Sequence, residues 1–398
     1  MSARAHETSP VGGEVFTRPF ILLAAFFALA MLVVAYRFAV GLGPVTAMSD
    51  AYPWGAWKPF NVIVLTALGS GGYAMAVLVY VLNRGKYHAI ARTALLTSAL
   101  AYTSGVIALG VDIGRPWNFW RLIFVTTWNL HSVLLEVAVC ISTYIIFLWL
   151  ELSPAFLERW AQGKPGPFRT IAVSWTPRIE RAFPWIVAMA IVLPTMHQSS
   201  LGSLFLLAGP RLHPLWQTPL VPLLFLLSCY LLGFAAVTMI SLLSSATWNR
   251  PRHTRMLAAV MQVAAWIGVA FLGIRVLDLV WRGQSHLLWT FDRYAAAFWI
   301  EAVLVAVPSV LLLSPSWRGQ PGTLFRLSGL VALGGSLYRL NTSLIAFMPG
   351  DQFGYFPSVL ELIVSLGWVA LAIIGYLYIV KRFAILPAAA AAPASSRS

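Results

Sequence analysis

The sequence predicts an all-α polytopic membrane protein, and its composition, its hydropathy pattern and its distribution of basic residues each support that fold class. Of the 398 residues, 59% are hydrophobic and 10% are charged, and the mean hydropathy is +0.79. A soluble domain carries about 25% charged residues, so too few charges remain here to solvate a globular surface. This composition excludes a soluble enzyme, a disordered chain and a nucleic-acid-binding protein.

Apolar stretches of about 20 residues, the length that crosses a hydrocarbon core, recur along the whole chain. We predict ten transmembrane helices, at residues 20–41, 57–82, 89–111, 129–150, 183–207, 218–245, 256–281, 295–313, 324–348 and 358–380. The first is too long for a removable signal peptide, so residues 1–19 are expected to stay attached. Residues 20–382 then form the membrane domain, and residues 383–398 are predicted to be a disordered tail.

The basic residues predict the orientation, because cytoplasmic loops carry an excess of Lys and Arg. An even number of helices places both termini on one side, where 18 of the 27 basic residues fall, against 6 on the other side. The remaining three, Arg37, Arg275 and Arg339, lie inside predicted helices. We therefore expect both termini to be cytoplasmic. The formal net charge of +14 then reflects topology and contact with anionic lipid, so no nucleic-acid partner is expected.

The Cys and His residues do not predict a resident redox cofactor. Cys140 and Cys229 stand alone in separate apolar helices, which gives no support to iron–sulfur ligation, a disulfide or a metal site. Of the seven histidines, only His131 and His197 fall within predicted helices. At a rise of 1.5 Å per residue their depths differ by roughly 12 Å, which disfavours a haem b held by both. No haem, iron–sulfur cluster or metal ion is therefore expected in this chain.

Ionisable residues within the predicted helices are the most informative signal, because each is costly in lipid and indicates function by default. Asp112 and Arg115 lie where the third helix ends, and the other members of the set are Arg37, Glu136, His197, Arg275, Asp278, Glu301, Arg339 and Glu361. All of them are predicted to lie in the outer half of the membrane. This one-sided distribution predicts a polar cavity near the outer face and a sealed apolar bundle in the inner half.

Part of this set has a structural alternative, because buried charges are normally paired. The pairs open to that interpretation are Arg275 with Glu301, Arg339 with Glu361, and Asp112 with Arg115. Glu136 and His197 have no neighbour of opposite sign at helical spacing. A role in proton transfer or ligand binding is therefore favoured for these two residues.

The surroundings of Glu136 and His197 fit a quinone head group, which needs hydrogen-bond partners for its carbonyl oxygens, a proton donor or acceptor, and an apolar slot. His197 begins a polar run, His-Gln-Ser-Ser, shortly after Pro194 in an otherwise apolar helix. Glu136 and His197 are the candidates for proton transfer. The candidates for quinone binding are Tyr102, Asp112, His131, His197 and Gln198.

Several short motifs along the chain are shared with a known family. They are YPWGAW (52–57), YVLNRGKYH (80–88), VDIGRPWN (111–118), SVLLEVAVC (132–140), LPTMHQSSLGSL (193–204), HPLWQ (213–217), FWIEAVL (298–304) and YFP (355–357). By these motifs the chain resembles the NrfD-type membrane proteins, and within them the ten-helix membrane subunits of Hyb-type NiFe hydrogenases. The positions that match the family's proton and quinone residues are Tyr102, Glu136 and His197, with Asp112 and Arg115.

Two positions depart from the pattern of those hydrogenase subunits. His131 stands where the relative has Asn, and residues 239–241 read Met-Ile-Ser where the relative has a Glu. A proton route that uses the carboxylate of that helix is therefore not expected here.

The resemblance implies an integral subunit that exchanges electrons between the quinone pool and a ferredoxin-like iron–sulfur subunit docked on the outer, periplasmic face. It implies no redox cofactor in the chain itself and leaves coupled proton transfer open. The further partners would be the small and large subunits of a hydrogenase or another catalytic subunit, and the direction of electron flow is not encoded here. The alternatives are a quinol-oxidising subunit of another respiratory reductase and a passive anchor. A transporter is disfavoured, because few ionisable groups are predicted in the inner half.

Overall fold

The computed structural model describes residues 8–82, 87–350 and 352–389, and the chain is almost entirely helical. The long helices are α1 (Arg18–Val40), α2 (Lys58–Val81), α3 (His88–Asp112), α4 (Val133–Ala161), α5 (Pro167–Leu206), α6 (Val221–Thr247), α7 (Thr254–Trp281), α8 (Arg293–Leu313), α9 (Pro321–Leu340) and α10 (Val359–Arg382). Short helical turns occupy the connections, at Pro116–Leu122, Val125–Thr127, Gly209–Arg211, Ser285–Trp289 and Pro315–Arg318. Two short strands, β1 (Thr8–Ser9) and β2 (Leu386–Pro387), pair antiparallel.

Each of the ten predicted segments coincides with one of these helices. Within the described residues, nine of them, all except α9, are long and apolar enough to cross a membrane. A π-helical turn, Asn341–Ile345, follows α9 directly and extends it over most of the ninth predicted segment. The chain is therefore an all-α polytopic membrane protein, as predicted.

The hairpin formed by α4 and α5 is longer than the sequence predicted. α5 contains 40 residues and is thus about 60 Å long, whereas a hydrocarbon core is about 30 Å thick. The hydropathy pattern missed the extension because charged residues are frequent between positions 151 and 182. A small separate core keeps this part helical, formed by Leu157, Ala172, Ile179 and Ile186.

Eight of the helices form two four-helix groups that meet where α6 packs against α2 and α5. The first group contains α2–α5, the second contains α6–α9, and α1 and α10 pair with each other beside α3. A Cβ atom on Gly71 would lie 2.4 Å from the side chain of Val237, and one on Gly233 would lie 2.8 Å from the backbone of Ser70. Glycine at these positions therefore allows the two backbones to approach closely, as small residues do in membrane bundles.

The pairing of β1 with β2 places both ends of the described chain at the same end of the bundle. Arg250 donates hydrogen bonds to both strands, at 2.7 Å and 3.2 Å. Residues 383–387, predicted to begin a disordered tail, are therefore ordered, because they pack and pair with the N-terminal segment. Residues 1–7 and 390–398 lie outside the described residues. We call the end with the strand pair the proximal end and the opposite end the distal end.

Candidate functional site

Three buried polar side chains from α3 and α5 contact one another inside the first helical group. The hydroxyl of Tyr102 lies 2.9 Å from Nε2 of His197 and 3.1 Å from Nε2 of Gln198. Nδ1 of His197 lies 2.9 Å from the carbonyl oxygen of Leu193, to which it donates. Nε2 then carries the lone pair and accepts the proton of the phenol. We call Tyr102, His197 and Gln198, all fully buried, the polar triad.

The polar triad depends on the close approach of α2. The regular helix is interrupted at Gly69 and Ser70. A Cβ atom on Gly69 would lie 3.1 Å from the ring of Tyr102 and 2.8 Å from the side chain of Ala101. Ser70 brings its hydroxyl to 3.3 Å from the phenol oxygen of Tyr102. A larger residue at position 69 would therefore displace the phenol from its partners.

An apolar cavity of about 390 Å³ lies between α2, α3, α4 and α5. Its walls include Ile63, Gly105, Val137, Leu201 and Phe205. Thr66 also lines the cavity, and its Oγ1 accepts a hydrogen bond of 3.3 Å from Nε2 of Gln198. The cavity therefore ends one side chain away from the polar triad. Its volume falls within the range of roughly 300–1,000 Å³ that is typical of small-molecule sites.

Thr66 was not among the predicted site residues. A single Thr in an apolar helix ordinarily hydrogen-bonds the carbonyl four residues earlier, and Thr66 does contact the carbonyl of Val62 in that way. Its position on a cavity wall follows from how four helices pack, which the sequence of one helix does not show.

A more open pocket of about 550 Å³ adjoins the cavity at the distal end. The residues shared by both walls are Pro53, Trp54, Leu204 and Ala208. The indole N–H of Trp54 donates to the carbonyl of Ser343 at 3.0 Å, which fixes this part of the wall. The cavity thus lies next to a recess that is open at the distal surface.

Asp112 and Lys58 lie at the distal ends of α3 and α2, beside the cavity. Lys58 lines the cavity, and its Nζ is 4.0 Å from Oδ1 of Asp112. The carboxylate is buried, and neither oxygen has a hydrogen-bond partner among the described residues. The predicted salt bridge between Asp112 and Arg115 is wrong, because the cation that approaches the carboxylate is Lys58 and Arg115 is exposed. Lys58 was missed as a site residue because it was counted only as a loop charge.

Glu136 lies in the first turn of α4 and is joined to α5 by a hydrogen bond. Ser200 donates from Oγ to Oε1 of Glu136 at 2.7 Å. Ser200 follows His197 by three positions, so both lie on the same face of α5. The neighbouring residue Val137 lines the cavity. Glu136 is therefore half-buried beside the cavity, and within the described parts of the chain it has a neutral partner and no ion pair.

The structure does not bring His131 to the polar triad. It lies in the exposed turn before α4, where its backbone N–H contacts Oδ1 of Asn129 at 3.1 Å. The predicted helix included it because the apolar window extended across this turn. Both ring nitrogens of the other candidate, His197, are already within hydrogen-bond distance of protein atoms. His131 is thus exposed in a turn, whereas His197 is buried and bonded to protein atoms through both ring nitrogens.

The two predicted ion pairs of the last helices have different outcomes. Arg275 and Glu301 are both buried and form a pair of 2.5 Å, which confirms the first. The pair of Arg339 with Glu361 is wrong. Glu361 instead caps α10, where its carboxylate accepts the backbone N–H of Ser358 at 2.7 Å.

Arg339 binds backbone and hydroxyl oxygens rather than a carboxylate. It donates to the carbonyls of Ile63 and Phe225, at 2.8 Å and 2.6 Å, and to Oγ of Ser228 at 2.9 Å. Ile63 belongs to the π-helical turn Lys58–Val64, which forms one wall of the cavity. Wider π turns often occur at functional sites, and here Arg339 holds that wall against the second helical group.

Glu151 is a buried ionisable residue in the proximal half of α4. The predicted fourth helix ended at residue 150, so Glu151 was left out of the buried set. Its side chain is buried, and Oε2 has no hydrogen-bond partner among the described residues. The prediction that the inner half is a sealed apolar bundle is therefore wrong at this position.

The chain is similar to membrane subunits of several complexes. The family profile "Polysulphide reductase, NrfD" matches residues 44–345. The "Probable Ni/Fe-hydrogenase 2 b-type cytochrome subunit" of Escherichia coli (strain K12) is 35% identical over 390 residues, which is 96% of each chain. The "Menaquinone reductase, integral membrane subunit" of Nitratidesulfovibrio vulgaris (strain Hildenborough) is 26% identical over 83% of this chain and 82% of its own.

The similarity extends over most of the chain rather than over one part of it. A selenate reductase subunit of Mesobacillus selenatarsenatis is 23% identical over 75% of this chain and 75% of its own. The profile also covers most of the chain, and the similarity to the hydrogenase subunit covers nearly all of it. The chain belongs to the NrfD family of integral membrane proteins.

Proposed function

We propose that this protein is the membrane-anchoring, quinone-binding subunit of a respiratory complex, and that the quinone head group binds in the cavity beside Thr66. The observation that carries the proposal is an apolar cavity that ends at Thr66, whose hydroxyl hydrogen-bonds a buried Tyr-His-Gln triad. A quinone needs this combination, because its ring and tail are apolar and its reduction adds a proton at each carbonyl oxygen.

The polar groups around the cavity supply the chemistry in this proposal. Thr66 and Gln198 hydrogen-bond one carbonyl oxygen of the quinone, and on reduction that oxygen takes the phenol proton of Tyr102, which His197 holds in position. Glu136, beside the cavity, exchanges protons with the second oxygen. Reduction thus adds one proton to each quinone oxygen, from Tyr102 and from Glu136, which regain their protons from water, and the two electrons come from outside the chain.

Electrons reach the quinone from a partner subunit in this proposal. The names of the similar proteins include a hydrogenase subunit, a menaquinone reductase subunit and a selenate reductase subunit. We infer that the partner is a ferredoxin-like iron–sulfur subunit on the distal face, which would be periplasmic if the basic residues orient ten spans in the inner membrane. Hydrogenase small and large subunits would complete the complex. The same site would oxidise quinol if the catalytic subunit were a terminal reductase.

The proposal includes no haem in this chain. One similar protein is named a b-type cytochrome subunit, so the visible spectrum of the purified chain is a direct check. A reduced-minus-oxidised spectrum without haem bands is expected. Stoichiometric haem would contradict this part of the proposal and leave the quinone site to be tested by itself.

Quinone titration of the complex, purified with its partner subunits, tests the site. We expect saturable binding of a soluble menaquinone analogue to be lost in Tyr102→Phe and His197→Ala. Tyr378→Phe is the matched control, because Tyr378 is exposed on α10. If Tyr102→Phe and His197→Ala complexes assemble normally and keep full binding and quinone-linked activity, the polar triad is not the quinone site. If the wild-type complex shows no saturable binding, the chain is a passive anchor.

A further inference from the structure

The connection between α3 and α4 is apolar and exposed, although it lies outside the long helices. The exposed large side chains of this connection include Trp117, Trp120, Ile123, Phe124 and Leu130. A contiguous exposed apolar surface marks contact with a membrane or a partner, and Trp is enriched where the bilayer meets water. The guanidinium carbon of Arg121 lies 5.6 Å from the ring centroid of Trp120, so its charge stays in the polar layer above the apolar rings. The connection therefore lies in the distal interface of the membrane.

The proposed quinone cavity reaches the molecular surface at this connection. Phe119 of the connection and Leu134 of α4 both line the cavity, and 42% and 66% of their respective surfaces are exposed. Ala138 and Ser142 follow Leu134 along the cavity wall at intervals of four residues, so all three lie on one face of α4. Leu134 and Ser142 are about 12 Å apart along the helix. The cavity is therefore a slot that runs along α4 from its distal end into the bundle.

A second opening of the cavity leads past Pro53 and Trp54 into the distal recess, and its chemistry is different. The recess is also lined by the exposed charged residues Asp50 and Arg211. The opening beside α4 has the apolar side chains of Phe119 and Leu134 on its two sides. An isoprenoid chain is favoured in apolar surroundings and disfavoured beside water and charges. The opening beside α4 therefore fits a quinone tail, and the recess does not.

We propose that the isoprenoid tail of the quinone leaves the cavity between Phe119 and Leu134 and enters the distal leaflet of the bilayer there. This inference rests on the proposed quinone site, with the head group beside Thr66. The tail then lies in the slot along α4, and the interfacial connection shields it from the distal aqueous phase. Quinone and quinol exchange sideways with the membrane, so the partner subunit stays bound over the distal recess during turnover.

The dependence of binding on the quinone tail tests this inference. The ligands are a menaquinone with its isoprenoid tail and menadione, which has the same ring system and no tail. Each is titrated into the complete complex in quinone-free nanodiscs. Leu134→Trp places an indole in the opening. It should raise the Kd of the tailed quinone by about tenfold or more and that of menadione by less than about twofold.

Ile146→Trp is the matched control, because Ile146 is an exposed apolar residue of the same helix and does not line the cavity. Both Kd values should remain as in the wild type. If Leu134→Trp weakens the two ligands equally, or weakens neither, the inference is overturned.

A measurement on the wild-type complex covers the case in which Leu134→Trp fails to assemble. A menaquinone analogue with a photoreactive diazirine in its tail is cross-linked to the complex, and the labelled peptides are identified by mass spectrometry. Label is expected within residues 116–142. Label confined to other parts of the chain, such as Leu207 and Phe353 of the recess, would overturn the inference. The head-group site is judged separately, by whether Tyr102→Phe loses menadione binding.

Discussion

The two four-helix groups differ in whether their buried charged side chains have partners of opposite charge. In α6–α9, the guanidinium of Arg275 contacts Glu301 at 2.5 Å, and the same carboxylate also accepts from the side chains of Trp216 and Asn341. In α2–α5, Glu136 has a hydroxyl partner, and Oε2 of Glu151 has no hydrogen-bond partner among the described residues. A charged side chain that is fully paired holds its helix in place, whereas a carboxyl group without a counterion can still gain or lose a proton. This difference supports the proposal that the first group exchanges protons and binds the quinone, with the second group as its rigid support.

The largest expected effect is the loss of stability when the ion pair between Arg275 and Glu301 in the second group is removed. Glu301→Gln leaves the charge of Arg275 buried without its counterion, so the free energy of unfolding should fall by about 3–5 kcal/mol. The measurement is the melting temperature of the purified complex in detergent. Complexes that survive should still bind quinone. A Glu301→Gln complex that melts like the wild type and fails to bind quinone would reverse the division of roles.

The apolar double variant Arg275→Met with Glu301→Leu is the control for that experiment. It removes both charges together, and replacing a whole buried ion pair with apolar side chains is often neutral or stabilising. We expect it to recover most of the melting temperature lost in Glu301→Gln.

A smaller effect is expected when the cavity of the first group is filled. Ala138 lines the cavity on α4, and a phenyl ring at this position competes with the quinone for space. Overpacking costs about 1–3 kcal/mol, so Ala138→Phe should weaken quinone binding by about 10- to 100-fold while the complex still assembles. Ala296→Phe, at an exposed position of α8, should leave binding unchanged. Equal binding in both variants would place the quinone elsewhere.

Most of the fold was predictable because apolar length is a local property of the sequence. All ten predicted segments overlap helices of the structure. The errors lie at helix ends, which are set by turns and by packing rather than by hydropathy. His131 was placed in a helix because an apolar window crossed an exposed turn. The 40-residue length of α5 was missed because packing against α4, rather than hydropathy, keeps its proximal part helical.

The candidate site also contains residues that the sequence could predict and residues that it could not. Tyr102, His197 and Gln198 were predictable, because a polar residue in an apolar helix stands out in the sequence. Thr66 and Lys58 were not, since their roles come from the space between helices. Arg339 shows the same limit: its charge was visible, but its binding to backbone carbonyls rather than to a carboxylate was not.

Substitution of Glu136 tests whether the carboxyl groups of the first group that lack a counterion exchange protons with the quinone. Glu136→Gln keeps an oxygen that accepts the hydrogen bond of Ser200 but removes the carboxyl group that would exchange protons. We expect quinone turnover to fall on the order of tenfold with the KM for quinone unchanged, because the variant loses proton exchange and not binding. Steady-state kinetics with the soluble menaquinone analogue measure both. An unchanged kcat would assign Glu136 a structural role, like that of Glu301.

The smallest effect is expected at the distal edge of the cavity, where Lys58 approaches Asp112. The side chain of Lys58 is 35% exposed, and its Nζ lies 4.0 Å from the carboxylate. Partly solvated pairs contribute about 1 kcal/mol or less, so Lys58→Met should change the KM for quinone by less than about fivefold. Lys58→Arg keeps the charge and should match the wild type in the same kinetic assay. A loss of activity in Lys58→Met as large as in Glu136→Gln would show that the lysine charge acts on the quinone directly, and the first group would then contain a cation as well as carboxylates in its reaction path.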